Sequence, residues 1–253
     1  MNKKNRFFFF FGPSVVFLWF SLGQTCFAID LPTISLGITK ATSPTEVSTA
    51  VQVLLVLTIL SVAPAILLMT TAFVRIVVVL SFVRQAMATQ QMPPNQIVIG
   101  LALFLTFFIM SPVFNAMNKQ AVQPYLAGDL QFEQALEQGI SPLRDFMFSQ
   151  TREKDLALLI EIANEEQPRD HASVSTMTLI PAFVLSELNR AFQMSFMIYV
   201  PFLVIDMVVA SVLMSMGMMM LPPPMIALPF KLLMFVLVDG WGLVVGSLVK
   251  SFN

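Results

Sequence analysis

Four unbroken apolar runs decide what this chain can fold into. They occupy residues 51–83, 97–114, 192–220 and 225–249. A helix needs about 20 apolar residues to cross the hydrocarbon layer, and each run is near or above that length. In lipid, the backbone N–H and C=O groups must be satisfied inside the segment itself, which for such runs means α-helix. Composition agrees, because 57% of the 253 residues are hydrophobic and only 11% are charged, against about 25% charged in soluble domains. So much apolar surface needs lipid or a large assembly to cover it. The expected fold is an all-α membrane protein with about four long apolar helices in hairpins, plus a small helical domain in water.

The rest of the chain organises around those runs. Lys3, Lys4 and Arg6 precede an apolar stretch at 7–20, and Cys26-Phe27-Ala28 places small residues at −3 and −1. That pattern reads as a signal peptide, residues 1–28, cleaved after Ala28; a retained first helix is the alternative. Residues 29–50, rich in Thr, Ser and Pro, read as an exposed periplasmic lead-in. Residues 51–115 form a first apolar hairpin and 191–253 a second. Between them, residues 116–190 hold 6 of the 14 Lys and Arg and 11 of the 15 Asp and Glu. This acidic stretch reads as a water-facing periplasmic domain, with amphipathic helices at 141–148 and 153–163. Cleavage puts residue 29 outside, so the Arg84 loop and the 218–224 tip fall on the inner side. Arg84 there agrees with the positive-inside rule.

Several function classes fall away. A net charge of −1 offers no basic surface for nucleic acid. Neither a Gly-x-x-x-x-Gly-Lys-[Ser/Thr] loop nor a Gly-x-Gly-x-x-Gly turn is present. The single histidine, His171, and the single cysteine, Cys26, suggest no metal site, no internal disulfide and no cofactor. An enzyme is not expected.

Charges within apolar helices cost about 2.5–3.5 kcal/mol each on insertion scales, so they need partners or a wet cavity. Four stand out: Arg75, Asp206, Lys231 and Asp239. For a hairpin turning near Leu221, Asp206 lies 15 residues before the turn and Lys231 10 after it. At about 1.5 Å per residue the offset is about 7 Å, within reach of a lysine. The pair forms within one chain or between neighbours, and either fixes a gate or simply permits insertion. Loss of either charge should block function, and exchanging the two should restore it.

The hairpin tip is a second feature, with Met214, Met216, Met218, Met219 and Met220 running into Pro222-Pro223-Pro224. Methionine is soft and adaptable, and the prolines end the helix. Copies of this tip around an axis would make a deformable seal; plain packing or lipid contact is the alternative. Near the start of the second run, Asn95 after Pro93-Pro94 is placed to cap the helix.

Longer motifs carry a resemblance. Met69-Thr70-Thr71-Ala72-Phe73-Val74-Arg75-Ile76, and Gln91-Met92-Pro93-Pro94-Asn95-Gln96-Ile97 through Leu103-Phe104-Leu105-Thr106, resemble two blocks of the FliP/SctR family of type III protein-export gates. Pro181-Ala182-Phe183-Val184-Leu185-Ser186-Glu187-Leu188 through Met194 is similar to a third. Asp206 through the methionine run to Leu228-Pro229-Phe230-Lys231 and Val238-Asp239-Gly240-Trp241 resembles the C-terminal hairpin. The likeness covers nearly all of 51–249; Ser195 departs from it, where the family usually has glycine. It implies about five copies in a ring with FliR-type and FliQ-type subunits and other export-apparatus proteins, passing unfolded flagellar substrates at the basal body in the inner membrane. Met218, Met219 and Met220 match the family's gasket, Asp206 and Lys231 its important charges, and Glu187 a subunit contact. It also implies that the apolar hairpins are buried against neighbours rather than crossing as four simple spans. The signal peptide and Leu228–Lys231 segment look flagellar; a virulence injectisome subunit, a solute or ion transporter, and a passive scaffold are the alternatives. No internal repeat of the kind transporters use is visible.

Overall fold

The first apolar run does not make one helix. In the computed structural model, which describes residues 44–89, 92–165, 170–218 and 220–252, it divides into α1 (Pro44–Met69) and α2 (Phe73–Ala86). The break falls at Thr70-Thr71-Ala72. Thr70 Oγ1 donates to the Ile66 carbonyl at 3.0 Å, and Thr71 Oγ1 to the Leu68 carbonyl at 3.1 Å. Such local side-chain bonds compete with the helix ladder and mark its end. The signal-peptide segment with Ala28, residues 29–43 of the lead-in, and Met219 lie outside the described residues.

α2 is the element on which the others pack. Its Ile76, Val79, Leu80 and Val83 are buried, a three-and-four spacing that lines one helical face. They meet Val98, Ala102 and Met110 of α3 (Asn95–Met117), Ala191 and Phe202 of α7 (Thr176–Ser215), Phe235 of α8 (Pro223–Leu237), and Val244 and Leu248 of α9 (Gly240–Lys250). Full burial of each such side chain contributes about 1.5–3 kcal/mol. The α2–α7 contact is the most extensive in the chain. α1, by contrast, has no buried residue in its apolar window of 51–69. From residue 53 onward the chain is one compact unit.

α3 continues through a π-helical turn (Asn118–Val122) into α4 (Gln123–Ala127), giving 33 consecutive helical residues. Gly128, at φ 83°, stops α4, and the Asp129 N–H returns to the Pro124 carbonyl at 2.9 Å. That left-handed position is open to glycine without strain. α5 (Phe132–Gln150), α6 (Glu153–Ile162) and a short 3₁₀ turn (His171–Ser173) follow. Met147, Val174, Leu179 and Phe183 form a second small core there. α6 lies within the expected 153–163; α5 contains 141–148 but is much longer. Among the described residues there is no strand.

Among the described residues three helices are long and apolar enough to cross a membrane: 51–69, Asn95–Ala127 and Thr176–Ser215. The fourth run instead bends by 63° between α8 and α9. Asp239 takes a left-handed conformation at φ 50°, ψ 53°, which a non-glycine residue adopts at a cost. The Phe235 ring closes the bend so tightly that a Cβ on Gly240 would sit 2.3 Å from it. The composition change at residues 190–191 falls inside the 40-residue α7, so acidic region and apolar hairpin share one continuous helix. Asn95 does not cap α3. Pro94 holds the N-cap position, and the Asn95 side chain accepts a hydrogen bond from Arg84.

Candidate functional site

α7 and α8 form a hairpin held by a buried ion pair near its middle. Lys231 on α8 is almost fully buried, and its Nζ donates to Asp206 Oδ2 on α7 at 2.6 Å. The pair expected from the hairpin offset therefore forms within one chain. Lys231 also donates to the Ala86 carbonyl at 3.2 Å. That carbonyl ends α2, where the negative end of the helix dipole favours a cation. One ammonium thus joins α2, α7 and α8. This third contact argues against rescue by charge exchange: a carboxylate at position 231 would face a carbonyl with no proton to give it.

A second buried pair lies toward the start of α7. Arg75 on α2 and Glu187 on α7 are both without exposed surface. Arg75 Nε donates to Glu187 Oε2 at 2.9 Å, and Nη2 bonds Glu187 Oε1. Nη1 donates to the Ser251 carbonyl and to Ser251 Oγ, both at 2.9 Å. Nη2 also reaches Gln150 Oε1 at 3.0 Å, and the guanidinium lies 3.8 Å from the Phe252 ring centre. The planar fork of arginine suits this arrangement. Gln150 ends α5 and Ser251 follows α9, so Arg75 ties α2, α5, α7 and the end of the chain together. Glu187, matched by resemblance to a subunit contact, has its carboxylate occupied by Arg75 inside this chain.

A third pair fastens α6 to α7. Arg152 Nε donates to Asp155 Oδ2 at 2.6 Å, and Ser186 Oγ donates to the same oxygen at 2.6 Å. Burial pushes the Asp155 carboxyl up, but the bonds from Arg152 and Ser186 outweigh it and hold the group below the usual carboxylate range.

Beyond the Lys231 clamp the hairpin tip is free. α7 ends at Ser215, where Gly217 at φ 72° lets the Met218 N–H return to the Leu213 carbonyl at 3.0 Å and the Gly217 N–H to the Met214 carbonyl at 3.1 Å. This double return is a Schellman close, for which glycine is the usual residue. Met214 and Met216 project outward, Met218 is half-buried, and Met220 is 98% exposed. Pro222 and Pro223 start α8. Asp239 is exposed at the α8–α9 bend and joins no ion pair among the described residues. Ser195, buried on α7, has no partner for its Oγ among the described residues.

Of the expected site residues, Asp206 and Lys231 come together, Arg75 and Glu187 meet each other, Asp239 marks a bend, and Met218 and Met220 share the tip. Gln150, Ser251 and Phe252 escaped sequence reasoning because neutral residues at helix ends carry no pattern. The signal that could have found Glu187 as a partner was chemical. An arginine in an apolar run requires an acid, and Glu187 is one of few acids in an apolar setting.

The family model for the FliP family matches residues 56–248. The flagellar biosynthetic protein FliP of Bacillus subtilis is 55% identical over 217 residues, 86% of this chain and 98% of that protein. The one from Pectobacterium carotovorum is 53% identical over 203 residues, 80% of this chain and 79% of its own. The one from Borreliella burgdorferi is 44% identical over 256 residues, the full length of both chains. The matched region takes in α2, the Arg75–Glu187 and Asp206–Lys231 pairs and the methionine tip of the α7–α8 hairpin, and the chain belongs to the FliP family.

Proposed function

We propose that this chain is a membrane subunit of the flagellar protein-export gate, several copies of which surround a shared conduit with FliR-type and FliQ-type partners. It sits in the inner membrane at the flagellar basal body and passes unfolded flagellar proteins. The observation that carries this reading is the exposed methionine tip on a clamped hairpin. Lys231 fixes the hairpin to α2, while Met216 and Met220 extend past it, largely exposed. A flexible sulfur-rich tip on a rigid arm is suited to closing around chains of varied sequence. The broad apolar faces left bare on α1, α3 and α7 are the surfaces that lipid and neighbouring subunits would cover.

Replacing Met218, Met219 and Met220 with alanine tests the seal. The variant should assemble normally and make the membrane leaky to small ions, read as dissipation of an imposed ion gradient. Unchanged permeability in a fully assembled complex would rule the seal out.

A further inference from the structure

The apolar core around α2 stops part-way along the α7–α8 hairpin. Among the described residues, α7 joins it from Ala191 to Phe202 and α8 from Leu232 to Phe235, while 203–231 supply no member. At that edge Lys231 ties the hairpin to α2 through the Ala86 carbonyl. Farther on, α8 packs on α7, and the pair ends in the exposed methionine tip. Residues 203–231 thus form an arm that projects from the core.

Both chain segments are weakened where the arm leaves the core. α7 contains Pro201, whose ring nitrogen cannot donate to the Met197 carbonyl, so one rung of the helix is missing beside Phe202. The returning segment breaks after α8 with a 63° bend, and Asp239 sits there in a left-handed conformation at φ 50°. Residues at element ends absorb the backbone rotation in hinges. The two weak points lie side by side. The ring centres of Phe202 and Phe235 are 6.1 Å apart; Pro201 adjoins the first, and Asp239 follows the second by about one turn. Trp241 meets Phe235 edge to face at 5.4 Å and completes the cluster. The chain is held on both sides of it. Arg75 binds Glu187 and Ser251 on the core side, and Lys231 binds Asp206 on the arm side.

We propose that this base is a hinge: the arm swings as one body about a line through Pro201 and Asp239, with the Phe202–Phe235 contact as pivot and the Lys231–Ala86 bond as latch. From Phe202 to Ser215 the arm is about 20 Å long, so a turn of about 20°, the size found at proline kinks, carries the tip about 7 Å. Movement on that scale parts methionine side chains that meet across a narrow opening. The link between arm and conduit rests on the export-gate reading; the hinge itself does not.

The test measures distances between two nitroxides on one chain in the complex purified with its native partners. The labels sit at Met216→Cys on the tip and Glu137→Cys on α5, both exposed, in a chain carrying Cys26→Ser. Labelled chain is diluted with unlabelled chain so that each complex holds at most one. The parent should give one narrow distance. Asp206→Met with Lys231→Met removes the latch without stranding a buried charge, and should broaden the distance or add a second one. Adding Pro201→Ala, which restores the missing helix rung, should narrow it again. An unchanged distance without the latch, or broadening that survives Pro201→Ala, would overturn the hinge. If the double variant does not assemble, Lys231→Gln, whose shorter side chain withdraws from Ala86, is read in the same way. Pro201→Ala alone should accumulate normally and lower secretion of flagellar proteins severalfold. Normal secretion by that variant, with the swing established by the labels, would refute the link to the gate and leave the hinge standing.

Discussion

Arg75→Ala is expected to cost about 3–5 kcal/mol of stability, because it removes the hydrogen-bonded counter-ion of the buried Glu187. The guanidinium is the common partner of Glu187, Gln150 and Ser251, so its loss also frees the end of the chain from α5 and α7. In detergent solution the variant should unfold at markedly lower temperature, and in cells it should accumulate poorly. Arg75→Lys should rescue little, since an ammonium lacks the planar fork that reaches five acceptor atoms at once. Arg75→Met together with Glu187→Met should regain much of the lost stability, because removing both charges removes the desolvation cost. If the double variant were as unstable as Arg75→Ala, the ion pair would not be the cause. If Arg75→Ala unfolded like the wild type, the hub would be incidental.

Asp206→Ala should act at a different level. It strands Lys231, which is 2% exposed, and breaking one side of such a pair again costs about 3–5 kcal/mol. Lys231 keeps only the Ala86 carbonyl, so α7 and α8 lose their tie while the Arg75 hub stays intact. The expected outcome is a folded chain with a misplaced tip: the protein accumulates and swimming is lost. Asp206→Lys with Lys231→Asp should not restore swimming, because the carboxylate that replaces the ammonium has no proton for the Ala86 carbonyl. Full motility in the exchanged variant would show that the α2 contact is unimportant. Normal swimming of Asp206→Ala would show that the clamp has no part in export.

Much of this was legible from the residues. Long apolar runs announced helices, and a charge in such a run announced a partner. The Asp206–Lys231 pair followed from counting residues either side of a turn, because a hairpin fixes the register of its two arms. Arg75 and Glu187 were each visible, yet 112 residues separate them, and no local rule links elements that far apart. The breaks inside apolar runs were hidden for a related reason. Hydropathy averages over Thr70-Thr71 and over Asp239-Gly240, while the backbone is decided by individual hydroxyl bonds and by the Phe235 ring lying against Gly240. Composition likewise shifts near residue 190 without any change in the helix beneath it. The tip was readable because Gly217 and the three prolines are backbone signals in themselves.

Methionine tips from several copies should meet around one conduit. Met220→Cys in a chain that also carries Cys26→Ser tests this, using a short thiol-reactive crosslinker on the complex purified with its native partners. The expected result is a ladder of dimers and higher multiples of this chain. Cysteines that react singly yet leave only monomers, in a complex whose measured mass shows several copies present, would contradict it.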